Sequence, residues 1–422
     1  MDRLKIVGGK RLKGEIKISG SKNSGLAIMA GSILCDKPIK LYNVPHIQDV
    51  NSMILLINDI GGQCIFDNDT IFIDNSQINK RIAECDFVKK MRASVLLLGS
   101  LLGRFGEAKV SLPGGCPIGV RAIDQHIEAM KALGADIKIE NGYIIAKASK
   151  NGLKGNIFTF KHNSVGATEN AINCAVLTEG TTIFKNCAKE PEIVYLCNFL
   201  NSIGAKIKGQ GTDTITVEGV EKLNGGNFEI PEDRIEAGTY AIASAITDGD
   251  IILKQCNIKT FESVFDKFNE IGIGLEEIDN GKGEKDIRAF KLHDFCATKI
   301  ETAIYPGFPT DLQAQIMIPL ILCNGTSVVL ENIFENRLMH CPELCRMGAS
   351  IEVRGTTAII QGGKQLHGAN VMSKDLRASA SLVLAGLIAD GTTIVDGLYH
   401  LDRGFDKLEE KLKNCGADIE RI

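Results

Sequence analysis

One pattern of apolar and polar positions recurs six times along the chain. Each copy has a run of small and apolar residues, a turn with glycine, and then a β-branched run, most clearly at 164–184 and 375–395. A run that is apolar all round predicts a helix buried on every side, and the β-branched run predicts a strand. The remaining copies begin near Met91, Asp233 and Thr310 and, in a divergent form, at Ser21.

A second, amphipathic helix follows in every copy and ends in a cap that resembles Ile-Gly-Ala. The capping glycines are Gly61, Gly134, Gly204, Gly272, Gly348 and Gly416. Successive caps lie 68 to 76 residues apart. A regular period with a glycine at each helix end indicates tandem βα units.

Each copy predicts strand, helix, strand, helix, strand and strand. Three copies can pack three apolar helices inside and place their sheets outside, so six copies predict two similar inside-out α/β barrels. We expect one domain at 22–231 and a second formed by 1–21 with 232–422. The N-terminal strands at 4–7 and 15–18 are expected to pair with the last copy.

Composition limits the function classes. The 422 residues suit two domains, and the net charge of −4 gives no reason to expect a nucleic-acid or membrane partner. Without an apolar leader, a long apolar run or a tight disulfide framework among 13 cysteines, the protein is expected in the cytoplasm. No phosphate loop, dinucleotide fingerprint or metal cluster is visible, so no cofactor and no metal are expected.

Charged residues stand where the apolar helices begin. When the copies are aligned on the glycine that ends the first helix, the matching place in the first copy holds Lys22 and Asn23, and in the other copies it holds Arg92, Gly166, Ile235, Asp311 and Arg377. Helix N-termini bind anions, so these bases predict an anion site. Asp311 is an acid among bases and hence a candidate proton acceptor, although a first-turn carboxylate that stabilises its helix is the alternative.

The second helices offer a matched pair of arginines. Arg121 and Arg403 each precede a capping glycine by 13 residues, in the second and the sixth copies. Two arginines at equivalent positions of opposite domains could face each other across a cleft and clamp a phosphate or carboxylate. A solvated surface role at a helix start is the alternative for each.

Cys116 differs from most of the other cysteines. They lie in apolar runs, whereas Cys116 lies in a loop of glycines and prolines at 112–119, with Arg121 five positions later. A thiol without a core to fill and close to a cation has the surroundings of a reactive thiolate.

These residues belong to longer motifs, which are Pro-Gly-Gly-Cys-Pro-Ile-Gly-Val-Arg-Ala-Ile-Asp at 113–124, Ser-Gly-Ser-Lys-Asn-Ser at 19–24, Ser-Val-Gly-Ala-Thr at 164–168, Tyr-Pro-Gly-Phe-Pro-Thr-Asp-Leu-Gln-Ala-Gln at 305–315, Phe-Glu-Asn-Arg at 334–337, Asp-Leu-Arg-Ala at 375–378 and His-Leu-Asp-Arg-Gly at 400–404. Over essentially the whole chain they resemble the UDP-N-acetylglucosamine 1-carboxyvinyltransferases of the enolpyruvyl transferase family. The resemblance implies two inside-out α/β domains, in agreement with the repeats.

The resemblance also implies a reaction. Phosphoenolpyruvate and UDP-N-acetylglucosamine would give the enolpyruvyl ether and phosphate through a tetrahedral ketal, in the first committed step of peptidoglycan synthesis. By similarity, Cys116 protonates C3 and Asp311 takes the proton of the sugar 3′-hydroxyl, while Lys22, Arg121 and Arg403 neutralise phosphate and carboxylate. The implied catalytic set is Cys116, Asp311, Lys22 and Arg403.

The implied substrate-binding residues are Lys22, Asn23, Arg92, Arg121, Ala122, Ile123, Asp124, Gln125, His162, Ser164, Val165, Asp311, Ile333, Arg337, Arg377 and Arg403. Many relatives carry Lys two residues before the serine of Ser-Val-Gly-Ala-Thr, where this chain has His162 and, one residue earlier, Lys161. Which of the two contacts the diphosphate stays open. Pro117 after the cysteine stiffens that loop.

Three other functions are weighed against this one. A 5-enolpyruvylshikimate-3-phosphate synthase shares the basic residues but not the cysteine loop. A non-catalytic paralogue that binds UDP-sugars is expected to lose Cys116, Asp311 or Lys22, all of which are present. A plain repeat scaffold predicts no charges at equivalent helix starts. The particular paralogue and the oligomeric state stay open, with a monomer compatible with the sequence.

Overall fold

Six four-stranded sheets of one topology correspond to the six sequence repeats. The computed structural model describes residues 2–83, 92–112, 118–119, 121–281 and 285–422, without the side chains of residues 92 and 93. Contacts divide the chain into two units, which we call the Lys22 unit and the Asp311 unit. The Lys22 unit comprises 20–115 and 121–231, and the Asp311 unit comprises 1–19, 116–120 and 232–422.

The helices of the Lys22 unit are α1 (Lys22–Ser32), α2 (Gln48–Asp59), α3 (Leu97–Phe105, preceded by the 3-10 helix Arg92–Leu96), α4 (Asp124–Ala132), α5 (Val165–Ala175) and α6 (Pro191–Ser202). Those of the Asp311 unit are α7 (Arg234–Ile246), α8 (Phe265–Ile271), α9 (Gln313–Leu322), α10 (Cys341–Arg346), α11 (Leu376–Ile388), α12 (Tyr399–Asp402) and α13 (Leu408–Asn414), with 3-10 helices at Ile258–Phe261 and Thr310–Leu312. Among the described residues no helix is both long enough and apolar enough to cross a membrane.

The strands of the first half are β1 (Leu4–Val7), β2 (Lys13–Lys17), β3 (Ile39–Tyr42), β4 (Gln63–Asp67), β5 (Thr70–Asp74), β6 (Ile82–Ala83), β7 (Glu107–Ser111), β8 (Ala135–Glu140), β9 (Tyr143–Ala148), β10 (Ile157–Thr159), β11 (Thr181–Lys185) and β12 (Lys206–Lys208). Those of the second half are β13 (Thr214–Glu218), β14 (Gly226–Glu229), β15 (Asp250–Lys254), β16 (Ile273–Asp279), β17 (Lys285–Lys291), β18 (Lys299–Glu301), β19 (Thr326–Leu330), β20 (Ser350–Arg354), β21 (Thr357–Gln361), β22 (Asn370–Met372), β23 (Thr392–Asp396) and β24 (Asp418–Arg421).

Every sheet begins with a parallel pair and continues with two antiparallel neighbours. The orders are β14-β3-β5-β4, β6-β7-β9-β8 and β10-β11-β13-β12 in the Lys22 unit, and β2-β15-β17-β16, β18-β19-β21-β20 and β22-β23-β1-β24 in the Asp311 unit. The expected pairing of the N-terminal strands is only half right. Strand β1 joins the sheet of the last repeat, with Leu4 opposite Val395, but β2 runs parallel to β15 of the fourth repeat.

The first helix of each repeat is buried nearly all round. In α1 every residue except Asn23 is buried, and in α11 every residue except Ile388 is buried. The strands bury alternate positions instead, as Ser327 and Val329 do in β19, so each sheet covers the helices with one face. Each unit is therefore an inside-out α/β arrangement, which confirms the predicted fold class. All six predicted capping glycines adopt the left-handed conformation, with φ between 96° and 115°.

Gly99 of α3 shows how closely the buried helices pack. Its N–H donates to Oδ1 of Asn170 in α5 at 2.6 Å, and a Cβ added at Gly99 would lie 2.1 Å from the carbonyl oxygen of Asn170. A methyl group at this position therefore forces the two helices apart.

We expect Gly99→Ala to lower the free energy of unfolding by about 2 kcal/mol or more, because overpacking a rigid contact costs on the order of 1–3 kcal/mol. The matched control is Gly25→Ala in α1, whose added Cβ would have Ile230 at 4.0 Å as its nearest neighbour. That change should be neutral or stabilising by up to about 1 kcal/mol. Urea unfolding monitored by circular dichroism measures both, and equal unfolding midpoints would contradict the packing argument.

Candidate functional site

The carboxylate of Asp311 lies between two arginines of the Asp311 unit. Arg337 donates from Nη2 to Oδ1 at 2.8 Å, and Arg377 donates from Nη2 to Oδ2 at 2.8 Å. Both arginine side chains are 5% exposed, whereas that of Asp311 is 25% exposed. The carboxylate is thus held by both oxygens and still reaches the surface of its unit.

These contacts set the charge of Asp311. Burial raises the pKa of the carboxyl, but the charges and hydrogen bonds of Arg377 and Arg337 outweigh burial and hold the pKa well below its usual range. The carboxylate is therefore ionised at neutral pH. Its side-chain hydrogen bonds go to arginines, and Asp311 also lies in the first turn of the 3-10 helix Thr310–Leu312, as the alternative interpretation expects.

Arg377 is fixed by the start of α11. Asp375 caps this helix, and its Oδ1 accepts from the N–H groups of Arg377 at 2.9 Å and Ala378 at 3.1 Å. The guanidinium carbon of Arg377 lies 5.7 Å from the ring centroid of Phe405. The cap and the ring restrict the flexible side chain, so its guanidinium is directed at Asp311 before any substrate binds.

Arg337 is fixed by a loop that also carries Ile333. The Oε1 atom of Glu331 accepts from the N–H groups of Ile333 at 2.9 Å and Phe334 at 3.1 Å, and its Oε2 accepts from Thr310 at 2.9 Å. One buried carboxylate thereby ties this loop to the 3-10 helix of Asp311. Sequence reasoning missed Glu331, because it directly follows a strand and forms part of no recognised motif.

Buried polar atoms without a protein partner lie on the residues around this ion pair. They include Nε of Arg337, Nη1 of Arg377, Oδ2 of Asp375 and Nδ1 of His340. Burial lowers the pKa of His340 to about 4, so its ring is neutral at pH 7. The two arginines consequently keep hydrogen-bonding capacity beyond their bonds to Asp311.

Arg403 is placed differently from the expectation of a helix start. It follows the short helix α12 (Tyr399–Asp402), and the second helix of its repeat begins only at Leu408. The second helix begins late in all three repeats of the Asp311 unit, at Phe265, Cys341 and Leu408, so the position that matches Arg121 precedes it. Burial first, and then the charge of Arg403, lower the pKa of His400, which is thus neutral beside a half-buried cation.

In the Lys22 unit, Lys22 is the first residue of the buried helix α1. Ser21 caps this helix by accepting from the N–H of Ser24 at 3.3 Å, and half-buried Asn23 follows Lys22. The ammonium of Lys22 lies 2.8 Å from Oδ2 of Asp49 in the first turn of α2. Asp49 was missed at the sequence level, because an acid in the first turn of a helix is ordinary.

A hydrogen-bonded group surrounds the start of α4. Buried Gln125 accepts from the N–H of Lys161 at 2.7 Å and donates to Asp124 at 3.2 Å and Glu128 at 3.3 Å. The ammonium of Lys161 is bound to Glu128 at 2.8 Å. Burial raises the pKa of Asp124, but hydrogen bonds with Gln125 and the charge of His162 together lower it. The ammonium of Lys161 is hence paired with Glu128, and His162 lies near Asp124.

Arg121 and Ala122 precede this helix with exposed side chains, and Ile123 is half-buried. Arg121 therefore stands just before the helix, as the sequence predicts. Its charge also acts on Glu169, whose pKa is raised well above its usual range by burial and by Glu192 and Glu190, against the effect of Arg121.

Ser164 caps α5 by accepting from the N–H of Ala167 at 3.3 Å, and Val165 is the first residue of that helix. Glu169, one turn later, links this helix electrostatically to Arg121. An electrostatic interaction thus connects the helix that begins in the motif at 164–168 with Arg121.

Cys116 and Pro117 lie outside the described residues, and of Arg92 the backbone is described, at the start of its 3-10 helix. Ile118, after the cysteine, belongs to the Asp311 unit, where its carbonyl oxygen accepts from the N–H of Asn336 at 2.9 Å. Within the described ranges, no three His, Cys, Asp or Glu side chains group as metal ligands.

Comparison with known proteins gives consistent matches over the whole length. The family of EPSP synthase (3-phosphoshikimate 1-carboxyvinyltransferase) matches residues 6–412. The UDP-N-acetylglucosamine 1-carboxyvinyltransferase of Rickettsia bellii is 51% identical over 426 residues and is covered completely, as is this chain. The protein of the same name from Klebsiella pneumoniae is 48% identical over 425 residues, covering 100% of this chain and 99% of its own.

Solved structures agree on the fold. The enolpyruvyl transferase NikO from Streptomyces tendae superposes with a TM-score of 0.87 at 24% identity, covering 100% of this chain and 98% of its own. EPSP synthase from Acinetobacter baumannii gives a TM-score of 0.75 at 18% identity, with complete coverage of both chains. At these identities the likeness establishes the architecture alone.

Replacing Asp311 with Asn tests the charge cluster, because it removes the negative charge and leaves two buried guanidinium groups without their counter-ion. Breaking a buried ion pair costs on the order of 3–5 kcal/mol, so we expect a loss of about 3 kcal/mol in the free energy of unfolding at pH 7. The exposed Asp36, paired with Lys37 at 3.9 Å, supplies the control Asp36→Asn, which should change little.

The pH dependence of this loss has a definite sign. The folded-state pKa of Asp311 lies well below that of the unfolded chain, which is about 3.9. Its stabilising contribution is therefore complete above about pH 5 and is lost as the pH falls through the folded-state pKa. The difference between the wild type and Asp311→Asn should stay constant from pH 7 to about pH 5 and shrink below about pH 4. Urea titrations at each pH measure this difference, and one that grows on acidification would refute the assignment.

Proposed function

The chain belongs to the EPSP synthase family of enolpyruvyl transferases, and from that premise we propose that it transfers the enolpyruvyl group of phosphoenolpyruvate to the 3′-hydroxyl of UDP-N-acetylglucosamine. The observation that carries the proposal is the 51% identity, over the full length of both chains, to a relative named for this reaction. The alternative, transfer to shikimate 3-phosphate, is supported by the family name and by the fold, at 18% identity to an EPSP synthase structure.

Asp311 is the proposed general base. The sugar hydroxyl gives its proton to the Asp311 carboxylate while its oxygen bonds to C2, and the π electrons of the C2–C3 double bond take a proton from the thiol of Cys116. In the elimination, the Cys116 thiolate takes a proton from C3, the double bond re-forms and the bond from C2 to the phosphate oxygen breaks. The departing phosphate takes the proton that Asp311 received, so both residues return to their starting states. Arg337 and Arg377 support this role, because they fix both oxygens of the base.

Lys22, Arg121 and Arg403 are the proposed cations for the phosphate and carboxylate of phosphoenolpyruvate. The position of Lys22 supports this role, since the free N–H groups and partial positive charge of a helix start add to its ammonium. Cations aimed at a transferring phosphate stabilise the charge that develops as it leaves. Arg377 is a further proposed substrate-binding cation, and its guanidinium donates to the carboxylate of Asp311.

The proposed contacts with the nucleotide sugar are Asn23, Arg92, Arg121, Ala122, Ile123, Asp124, Gln125, His162, Ser164, Val165, Asp311, Ile333 and Arg337. Of the two candidates for the diphosphate we infer that His162 makes the contact, since the ammonium of Lys161 is bound to Glu128 at 2.8 Å.

We propose that the two domains of the protein comprise residues 22–231 and residues 1–21 with 232–422. The product supplies peptidoglycan synthesis, and we place the reaction in the cytoplasm.

The first test is phosphate release from phosphoenolpyruvate. We expect release with UDP-N-acetylglucosamine and none with shikimate 3-phosphate, and the opposite selectivity would disprove the proposal.

Asp311→Asn should lower kcat by about 10²–10⁴, as loss of a general base does.

An epoxide phosphonate should alkylate the wild-type protein once, at Cys116, and leave Cys116→Ser unlabelled. Labels spread over several cysteines would contradict a uniquely activated thiol.

The second test separates His162 from Lys161. His162→Ala should raise the KM for UDP-N-acetylglucosamine about tenfold or more, since a hydrogen bond to a charged group contributes about 1.5–3 kcal/mol. Lys161→Ala, the neighbouring control, should stay within about twofold because Lys161 is an exposed residue of a surface pair. Steady-state kinetics at fixed phosphoenolpyruvate give both values. A larger effect of Lys161→Ala would reverse the assignment.

A further inference from the structure

The ion pair of Lys22 and Asp49 is buried, unlike most of the lysine ion pairs among the residues that the structure describes. Its atoms lie 2.8 Å apart, and the side chains are 11% and 5% exposed. The pair of Lys80 and Asp59, by comparison, is 57% and 38% exposed. Asp49 and Asp59 stand at opposite ends of the same helix, α2. The chain therefore contains a buried and an exposed version of the same lysine–aspartate contact.

Helix electrostatics explain the placement of Asp49. Lys22 opens α1, where the partial positive charge of the helix start disfavours a cation, and burial adds a desolvation cost. Asp49 lies in the first turn of α2, where a carboxylate is favourable. The acid thus serves two helix starts: it stabilises its own and offsets the cation at the other.

A lysine side chain is a point charge on a flexible four-carbon stem, so its charge is directed only if something anchors it. Asp49 is such an anchor for Lys22, since its carboxylate is itself held at the start of a helix and is almost fully buried.

We propose that Asp49 is a positioning residue that anchors the ammonium of Lys22 so that it presents its charge to the phosphate or carboxylate of phosphoenolpyruvate. The inference rests on the proposed function for the identity of the anion. Two rival roles make different predictions: a purely structural ion pair, and a counter-ion that competes with the substrate for Lys22. The rivals differ from the proposal in the KM for phosphoenolpyruvate.

Asp49→Asn and Asp49→Glu are compared with the wild type, with Asp59→Asn as the matched control on the same helix. The amide keeps the shape without the charge, and glutamate keeps the charge but moves it by one methylene. In both variants we expect the KM for phosphoenolpyruvate to rise about tenfold or more, which corresponds to the loss of about one charge-assisted hydrogen bond. The KM for UDP-N-acetylglucosamine and the values for Asp59→Asn should stay within about twofold.

Other outcomes overturn the proposal. A lower KM for phosphoenolpyruvate in Asp49→Asn identifies a competing counter-ion. A lower melting temperature with unchanged KM, or an equal rise of both KM values, identifies a structural pair. Because Asp49→Glu retains the ion pair, it tests positioning even if Asp49→Asn does not fold.

A measurement without turnover separates this inference from the transferase proposal. Inorganic phosphate should raise the melting temperature of the wild type and of Asp59→Asn, and should raise it less in Asp49→Asn and Asp49→Glu. In Lys22→Met the phosphate effect should be lost, and adding Asp49→Asn should change it no further. If the wild type releases no phosphate from phosphoenolpyruvate, the transferase proposal fails, while these shifts still decide the role of Asp49. Equal shifts in all variants would refute it.

Discussion

The structure depends on the burial of helices that are apolar on every side. A helix such as α11, buried at all positions but the last, cannot face water and must be enclosed by other elements. The six sheets of common topology provide this cover, each with one buried face. Small residues such as Gly99 then allow the enclosed helices to approach until backbone and side chain touch.

Enclosure on all sides leaves the ends of these helices as the places where polar chemistry can be held rigidly. Lys22 opens α1 and Arg377 is the second residue of α11, and each has a carboxylate at 2.8 Å. The two units differ in these contacts. Lys22 pairs with Asp49, whereas Arg337 and Arg377 share the carboxylate of Asp311. The starts of buried helices fix Lys22 and Arg377 more firmly than surface loops would.

The repeats could be predicted from the sequence because the glycine that ends each second helix is required by local backbone conformation and not by tertiary packing. The sheet partners were less readable: β14 pairs with β3 across much of the chain, and β2 joins the fourth repeat instead of the last. Periodicity predicts that a strand exists, but its partner depends on how the domain closes.

The residues of the candidate site were likewise predicted only in part. Asp311 was recognisable as an acid in a position of bases, yet its bond to Arg337 comes from a loop that no alignment of helices reveals. Arg403 was misplaced because the second helix of its repeat begins only at Leu408, after the separate helix α12. Asp49 gave no signal, since first-turn acids are common and only three-dimensional contact distinguishes this one.

The low pKa of Asp311 bears on how such a base can act. A strongly stabilised carboxylate is a weak base towards a sugar hydroxyl, whose proton is far less acidic. In the reaction we propose, proton transfer to Asp311 becomes favourable only as the sugar oxygen bonds to carbon and its proton becomes acidic, so the two events must be coupled. The contribution we propose for the two arginines is orientation, because they hold both oxygens of this weak base in place and keep the carboxylate ionised.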